Sequence, residues 1–286
     1  MSKKAIMIKL SVNLFSKWTE MIKKICFDYF KSSDLTAKHI ENYYDKNNDL
    51  YLKRYGTIIQ AARPQSDKDL IEYYIKSMNI NDRMRLLDAG CGVCGIAIEF
   101  AKKMNVHIDG ITISTKQFDV ASSDIHENNL TNKINVIKGD YSELHKHYPE
   151  NYFDLIYFHE SLGYADDMIK VLQSANQVLK PGGSIYIKDF FLVPITNKSN
   201  KIIQNDFKKE IRNQYLYNVL DFEMLVAVLR NLGLYIEFIK SMDVIEDFTR
   251  ALNYELSNNE HDIYTKAINN SFQLFEPLEF KFKKMY

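Results

Sequence analysis

The chain has 286 residues, 46% of them hydrophobic and 26% charged, and its 37 basic residues balance 37 acidic ones to a formal net charge of +0. That length fits one large domain, or one domain with an appended lid, and the balanced charge supplies no basic face of the kind that holds nucleic acid. No apolar run approaches the 18 residues of a membrane-spanning helix, so stable membrane insertion is not expected, and the three cysteines are too few and odd in number for a disulfide scaffold, which points to a reducing, cytoplasmic setting.

In chain order, the opening "MSKKAIMIKLSVNLF" begins like a signal peptide, but Lys9 interrupts its apolar run and no small-residue cleavage site follows, so secretion is not expected. Residues 5–62 read as helices: "NLFSKWTEMIKKICFDYF" spaces its apolar residues helically, and "SSDLTAKHIENYYDK" starts with capping chemistry. Pro64 marks a break, and a helix from Asp67 to Met78 leads into "RMRLLDA", an apolar strand that ends in a glycine turn. Strands and helices then alternate. "IAIEFAKKM" is a helix, "VHIDGITIS" a strand, "KQFDVASSDIHENN" a helix, "INVIKGD" a strand, "YFDLIYFH" a strand, "DDMIKVLQSANQVL" a helix and "PGGSIYIKDFFL" a fifth strand. Such repetition with continuously apolar strands marks a parallel sheet covered on both faces, with ligands at the carboxyl ends of the strands. Beyond Leu192 the pattern changes: 197–232 looks helical, "LGLYIEFIKSM" is a strand, a further helix follows, and "PLEFKFKKM" reads as a last edge strand with a solvated basic end.

The glycine turn "LLDAGCGVCG" contains G-x-G-x-x-G at Gly90, Gly92 and Gly95, after a strand and opening a helix. A dinucleotide would set its pyrophosphate there, and Asp88 would repel it. S-adenosylmethionine instead brings an ammonium and a sulfonium, which suit Asp88; the plainer alternative is that Asp88 caps the helix. Cys91 and Cys94 also spell C-x-x-C, but zinc needs two further ligands and the only other cysteine is Cys26. No metal site is therefore expected.

The pieces "LLDAGCGVCG", "IDGITIS", "VIKGDY", "YFDLIYFHES" and "LKPGGSIYIKDF", in this order over residues 84–190, resemble the class I S-adenosylmethionine-dependent methyltransferases. The resemblance implies an α/β, Rossmann-like sheet, mostly parallel with an antiparallel last strand. It also implies three parts: an N-terminal helical cap (1–80), the cofactor-binding core (81–192), and a helical lid insertion with C-terminal strands completing the sheet (193–286). By the same resemblance S-adenosyl-L-methionine is the cofactor. Asp88, Gly90 and Gly92 surround its methionine part, Thr112 and Gln117 sit by the ribose, and Asp140 and Tyr141 by the adenine. Thr112 departs from the family's usual acidic residue; members with Thr there include cyclopropane fatty acid synthases and related carbon methyltransferases.

The end of the fourth strand, "HESLGYADD", usually faces the methyl group. Glu160 is the candidate general base, with a helix-start or solvated loop carboxylate as its plainer reading. His159 is the alternative base, with a hydrogen-bonded core histidine as its plainer reading. The stretch "HIENYYDKNNDLYLKRYG" resembles the corresponding segment of the cyclopropane synthase, sterol and prenyl-diphosphate carbon methyltransferases. Its Tyr43, Tyr44, Tyr51 and Tyr55 are suited to a sulfonium or carbocation, and equally to ordinary helix packing; Tyr44 is the candidate among them. "ES" at Glu160-Ser161 is similar to the prenyl and sterol enzymes, in which an alkene attacks the methyl group and Glu removes a proton. Lys53, Arg54 and Arg63 are the basic candidates for a diphosphate. The acceptor is expected to be a small, largely apolar molecule. Methylation of nitrogen or oxygen in a small amine or natural product is the alternative, and a methyltransferase-fold cyclase or non-catalytic partner is an alternative of another class. A homo-oligomer is compatible with the sequence, which does not fix the state.

Overall fold

The computed structural model describes residues 36–64, 67–244 and 274–285. The helix expected over 13–30, Cys26 and the helix expected after the sixth strand lie outside the described residues. Everything below concerns the described residues from Ala37 onward.

Seven strands make one sheet in the order β3-β2-β1-β4-β5-β7-β6. They are β1 (Arg85–Ala89), β2 (His107–Thr112), β3 (Ile134–Lys138), β4 (Phe153–His159), β5 (Leu179–Leu192), β6 (Leu234–Ser241) and β7 (Phe275–Lys284). The first five run parallel, and β7 is antiparallel to both of its neighbours. The mixed, mostly parallel Rossmann-like architecture is thus as expected. Its central strands are buried on both faces, which is why "LLDA" and "LIYFH" read as unbroken apolar runs.

The expected edge strand is not at the edge. "PLEFKFKKM" lies in β7, which inserts between β5 and β6, and β6 is the edge. Six consecutive β7 residues are buried, with Phe280 and Phe282 fully so, whereas β6 alternates and then emerges. The alternating lysines suggested a solvated rim, but Lys281 pairs with Glu237 at 3.1 Å, and Lys284 caps the carbonyls of Asn176 and Leu179, both at 2.7 Å.

Helices α1 (Ala37–Tyr55), α2 (Asp67–Met78), α3 (Gly95–Lys103), α4 (Thr115–Glu127), α5 (Met168–Val178), α6 (Lys198–Tyr215) and α7 (Phe222–Asn231) complete the described fold. The helical reading of 5–62 holds only to Tyr55 within the described part. Gly56, at φ +68°, ends α1 with its N–H on the Leu52 carbonyl at 2.9 Å. Residues 57–63 then cross the carboxyl edge of the sheet as an irregular strap. The helical stretch expected over 197–232 splits in two, because Leu216 turns left-handed at φ +55° and Leu220 bridges to Phe191. α1 is fixed to the core by Asp45, whose carboxylate takes the Ser114 hydroxyl at 2.6 Å and the Lys116 N–H at 3.1 Å, at the first turn of α4. Among the described residues no helix is long and apolar enough to cross a membrane.

Candidate functional site

At the carboxyl ends of β1, β2 and β4 lies a cavity of about 200 Å³. The ten residues that the sequence offers for the cofactor or for catalysis all line it: Asp88, Gly90, Gly92, Thr112, Gln117, Asp140, Tyr141, His159, Glu160 and Tyr44. The turn after β1 is shaped by two demands. Gly90 has φ +86°, a region that only glycine enters easily, and a Cβ there would sit 2.6 Å from the Ser161 Cβ. Ser161 itself is pinned, since its hydroxyl donates to the Ala89 carbonyl at 2.6 Å and its carbonyl accepts from the Tyr141 hydroxyl at 2.9 Å. The ends of β1 and β4 are thereby stitched together under the turn.

Asp88 is 4% exposed and forms no ion pair among the described residues. Burial pushes its carboxyl up to about 7. A buried carboxyl without a cation partner, facing a cavity, suits a ligand that carries positive charge. Thr112 donates to the Gln117 side-chain oxygen at 3.2 Å, and Ser114 caps α4, so the β2–α4 turn is preorganised. Asp140 accepts the Ser142 N–H at 2.7 Å. Cys91 and Cys94 pack against Gly110. A Cβ on Gly110 would meet the Cys94 and Cys91 sulfurs at 2.9 and 3.0 Å, and burial pushes the Cys91 thiol up. Among the described residues no three His, Cys, Asp or Glu side chains converge as a metal would require.

A second cavity, about 180 Å³, lies beside the first. Its walls are mostly apolar and aromatic, with Asn47, Arg54, Gln60 and Glu160 among them. Tyr44 meets Tyr43, Tyr51 and Tyr164 with ring centroids 5.4, 5.7 and 5.2 Å apart, and Tyr164 meets Tyr217 at 5.0 Å. The tyrosines of α1 fall on one helix face because Tyr44, Tyr51 and Tyr55 are seven and four residues apart. Burial holds the Tyr44 and Tyr164 phenols above their ordinary value, so these rings are neutral. Of the three basic candidates only Arg54 lines this cavity. Arg63 is buried, and its guanidinium donates to the carbonyls of Tyr55 (2.8 Å) and Ile58 (2.7 Å), which ties the end of α1 to the strap. Five residues wall both cavities: Tyr44, Ile59, Gln60, Glu160 and Tyr164.

Glu160 stands at that shared wall at φ +53°, a left-handed conformation for a non-glycine residue. Its carboxylate is engaged on both oxygens. The N–H groups of Ala61 and Ala62 donate to it at 2.6 and 2.9 Å, and the Lys188 ammonium contacts Oε1. His159 is nearly buried among the rings of Tyr74, Tyr157 and Tyr186, at 4.5, 5.1 and 5.5 Å, and neither ring nitrogen has a hydrogen-bond partner. Burial, and then the charge of Lys188, holds its imidazole well below the ordinary value, so it is neutral and a weak proton acceptor.

Several residues at the site were missed from the sequence: Ile59, Gln60 and Ala61 of the strap, and Lys188 and Asp189 of β5. Asp189 is buried; it accepts the Leu162 and Gly163 N–H groups at 3.1 and 3.3 Å and bonds Tyr217. Burial pushes its carboxyl up to about 7. The signal for both was available, since Lys188-Asp189 interrupts a strand that is otherwise apolar, and charge is rarely fully buried unless paired.

In comparisons with known proteins, residues 80–224 match the family described as "Methyltransferase domain". Sterol 24-C-methyltransferase erg6 of Aspergillus fumigatus is 28% identical over 166 residues, covering 56% of this chain and 44% of the relative. The chain thus matches less than half the length of that curated relative. The [4+2]-cyclase SpnF superposes with a TM-score of 0.73 at 19% identity, covering 87% of this chain and 96% of that one. Geranyl diphosphate C-methyltransferase from Streptomyces coelicolor A3(2), crystallised with Mg2+, geranyl diphosphate and S-adenosyl-L-homocysteine, superposes with a TM-score of 0.70 at 12% identity, covering 87% and 97%. At these identities both structures speak for the fold.

Proposed function

Because this chain belongs to the methyltransferase-domain family, with S-adenosyl-L-methionine as its methyl donor, we propose that it methylates a small, largely apolar acceptor held in the tyrosine-lined cavity. One observation carries the reading: the tyrosine cavity and the cleft holding the glycine turn share a wall, so an acceptor in one abuts a donor in the other. The cofactor supplies an electrophilic methyl group on a sulfonium. The chain supplies position, dryness and charge. In the cleft we assign Asp88, Gly90 and Gly92 to the methionine part, Thr112 and Gln117 to the ribose, and Asp140 and Tyr141 to the adenine. The neutral rings of Tyr44 and Tyr164 offer their faces to positive charge developing at the junction.

Carbon methylation of an alkene, in an isoprenoid-like acceptor, is the first reading. It is supported by the sterol and geranyl diphosphate enzymes among the similar proteins. That chemistry needs a proton acceptor after the methyl group is transferred, and Glu160 is a carboxylate on the shared wall. Its Oε2 accepts one N–H, that of Ala61, and keeps a second lone pair for the proton, but protonation would weaken the bonds the carboxylate now makes to two amides and to Lys188. The same engagement favours a second reading, a nitrogen or oxygen acceptor, whose demand on a buried base is smaller.

The test is product analysis. The protein is incubated with S-adenosylmethionine carrying a deuterated methyl group and with apolar alkenes, phenols and amines, and the label is located by mass spectrometry and NMR. Label on an alkene-derived carbon supports the first reading, and label on nitrogen or oxygen the second. An isomerised product without label would remove methyl transfer altogether and favour a cyclase.

A further inference from the structure

The strap that follows α1 touches nearly every part of the site. Thr57, Ile58, Ile59 and Gln60 line the cofactor cleft; Ile59, Gln60 and Ala61 line the tyrosine cavity. It has no helix or strand pairing of its own. Ile58 packs on the main core and Ala62 on Met242 and Val244, while the strap's polar contacts converge on Lys188 of β5 and on Glu160, the residue after β4. Glu160 accepts from the consecutive N–H groups of Ala61 and Ala62. Lys188, fully buried, contacts the Ala62 carbonyl and the Gln60 side-chain oxygen (3.1 Å) as well as Glu160. The same Gln60 oxygen also accepts from the Tyr74 hydroxyl at 2.7 Å. A buried ammonium and carboxylate are costly to desolvate, and a buried ion pair is seldom favourable for stability alone. Here the pair spends its hydrogen bonds on a strap of seven residues, and Glu160 accepts a left-handed backbone to do so.

At its other end the strap lies directly on the cofactor turn. A Cβ added to Gly95 would be 2.1 Å from the Thr57 carbonyl oxygen and 2.5 Å from its carbon. Gly56, at φ +68° with nothing within 4 Å of an added Cβ, is where the strap leaves α1, and the Arg63 guanidinium spans that junction.

We propose that residues 57–63 are a latched strap over the cofactor cleft, and that Lys188, bridging Glu160, Gln60 and Ala62, is a positioning residue whose bonds set how fast an S-adenosyl nucleoside leaves. The proposal rests on the cleft being the cofactor site and is independent of what the acceptor is. Releasing the strap breaks the contacts at Ala61 and Ala62 and opens the wall shared by both cavities, so donor and acceptor chambers open together.

The experiment uses the full chain and S-adenosylhomocysteine, without acceptor. Release is followed by stopped-flow displacement, and strap opening by hydrogen exchange of peptides covering 57–63. In Lys188→Met we expect release to quicken roughly 10–100-fold, the factor for losing one charge-assisted hydrogen bond. The strap amides should exchange faster while those of β1 and β4 keep their protection. Lys188→Met leaves Glu160 buried without its cation and can impair folding. Lys188→Met with Glu160→Gln removes both charges together, so this variant should fold and still release fast. Unchanged release and strap exchange in a folded variant would overturn the proposal. So would faster release that tracks a loss of protection throughout the sheet, which would make Lys188 merely structural. If the unaltered chain fails to bind S-adenosylhomocysteine in calorimetry, the cofactor reading and the release step fall together. The acceptor assignment stands or falls separately on its labelled product.

Discussion

Three residues make separable predictions. Gly90 satisfies two constraints, its φ of +86° and the 2.6 Å gap to Ser161. Gly90→Ala should therefore cost roughly 1–3 kcal/mol, visible as a lower Tm by about 2–4 °C per kcal/mol, together with weaker cofactor binding in calorimetry. Asp88, raised to about 7 by burial, is half protonated near neutrality when no cation is present. A cationic ligand favours the ionised form, so binding must expel a proton below pH 7. Affinity for S-adenosylmethionine should then rise with pH up to about 7 and level off above it, losing up to about tenfold per pH unit on the acid side. Asp88→Asn should flatten that profile and bind more weakly at pH 8, whereas a sloping profile in the variant would assign the proton elsewhere. Glu160→Gln separates two roles. If Glu160 takes a proton from a methylated alkene, single-turnover rates at saturating cofactor should fall about 100-fold or more. A near-unchanged single-turnover rate with faster cofactor release would leave Glu160 as part of the latch alone. The glycine turn and the acid before it could be read from local spacing, because a strand–turn–helix cradle is built from consecutive residues. The partners of Glu160 could not, since Ala61 is 99 residues away and Gln60 lies 128 residues from Lys188.

The strap and the helix it lies on explain why the third glycine of the motif is needed. In an isolated helix Gly95→Ala would be favourable by about 1 kcal/mol. In this fold the methyl group would strike the Thr57 carbonyl. Gly95→Ala should therefore stabilise nothing, displace the strap and quicken S-adenosylhomocysteine release; thermal melts and stopped-flow displacement check the two halves. The third glycine of the motif thus serves a chain crossing. The alternation of strands and helices over 81–192 was legible because buried parallel strands carry continuous apolar runs. The strap was not, because "GTIIQAARP" has no period of its own and takes its shape from residues distant in sequence. The split between α6 and α7 was hidden for a similar reason, as a bridge to β5 interrupts an otherwise helical pattern.

Over the whole molecule, the element most misread was β7. Its lysines and alternating aromatics describe an edge strand, yet it pairs with β5 over nine positions, Ser184↔Lys283 to Leu192↔Phe275, and carries β6 on its other side. Glu279, fully buried on β7, accepts the Ser77 hydroxyl at 2.8 Å and that of Tyr73, so β7 also anchors α2. Removing residues 275–286 should leave β6 without a partner and β5 with an open edge. The expected result is loss of cooperative unfolding in calorimetry and aggregation on expression; a soluble, cooperatively melting truncated chain would contradict this placement. The same insertion bears on how the chain is made. Residue 192 leaves the ribosome well before residue 275, an interval of roughly 4–17 s at about 5–20 residues per second. Throughout it, the nascent β5 presents a long flank of unpaired backbone N–H and C=O groups on the side that β7 will take. Whatever shields that flank during translation, whether the chain's own helices or a chaperone, must then yield to the segment destined for it.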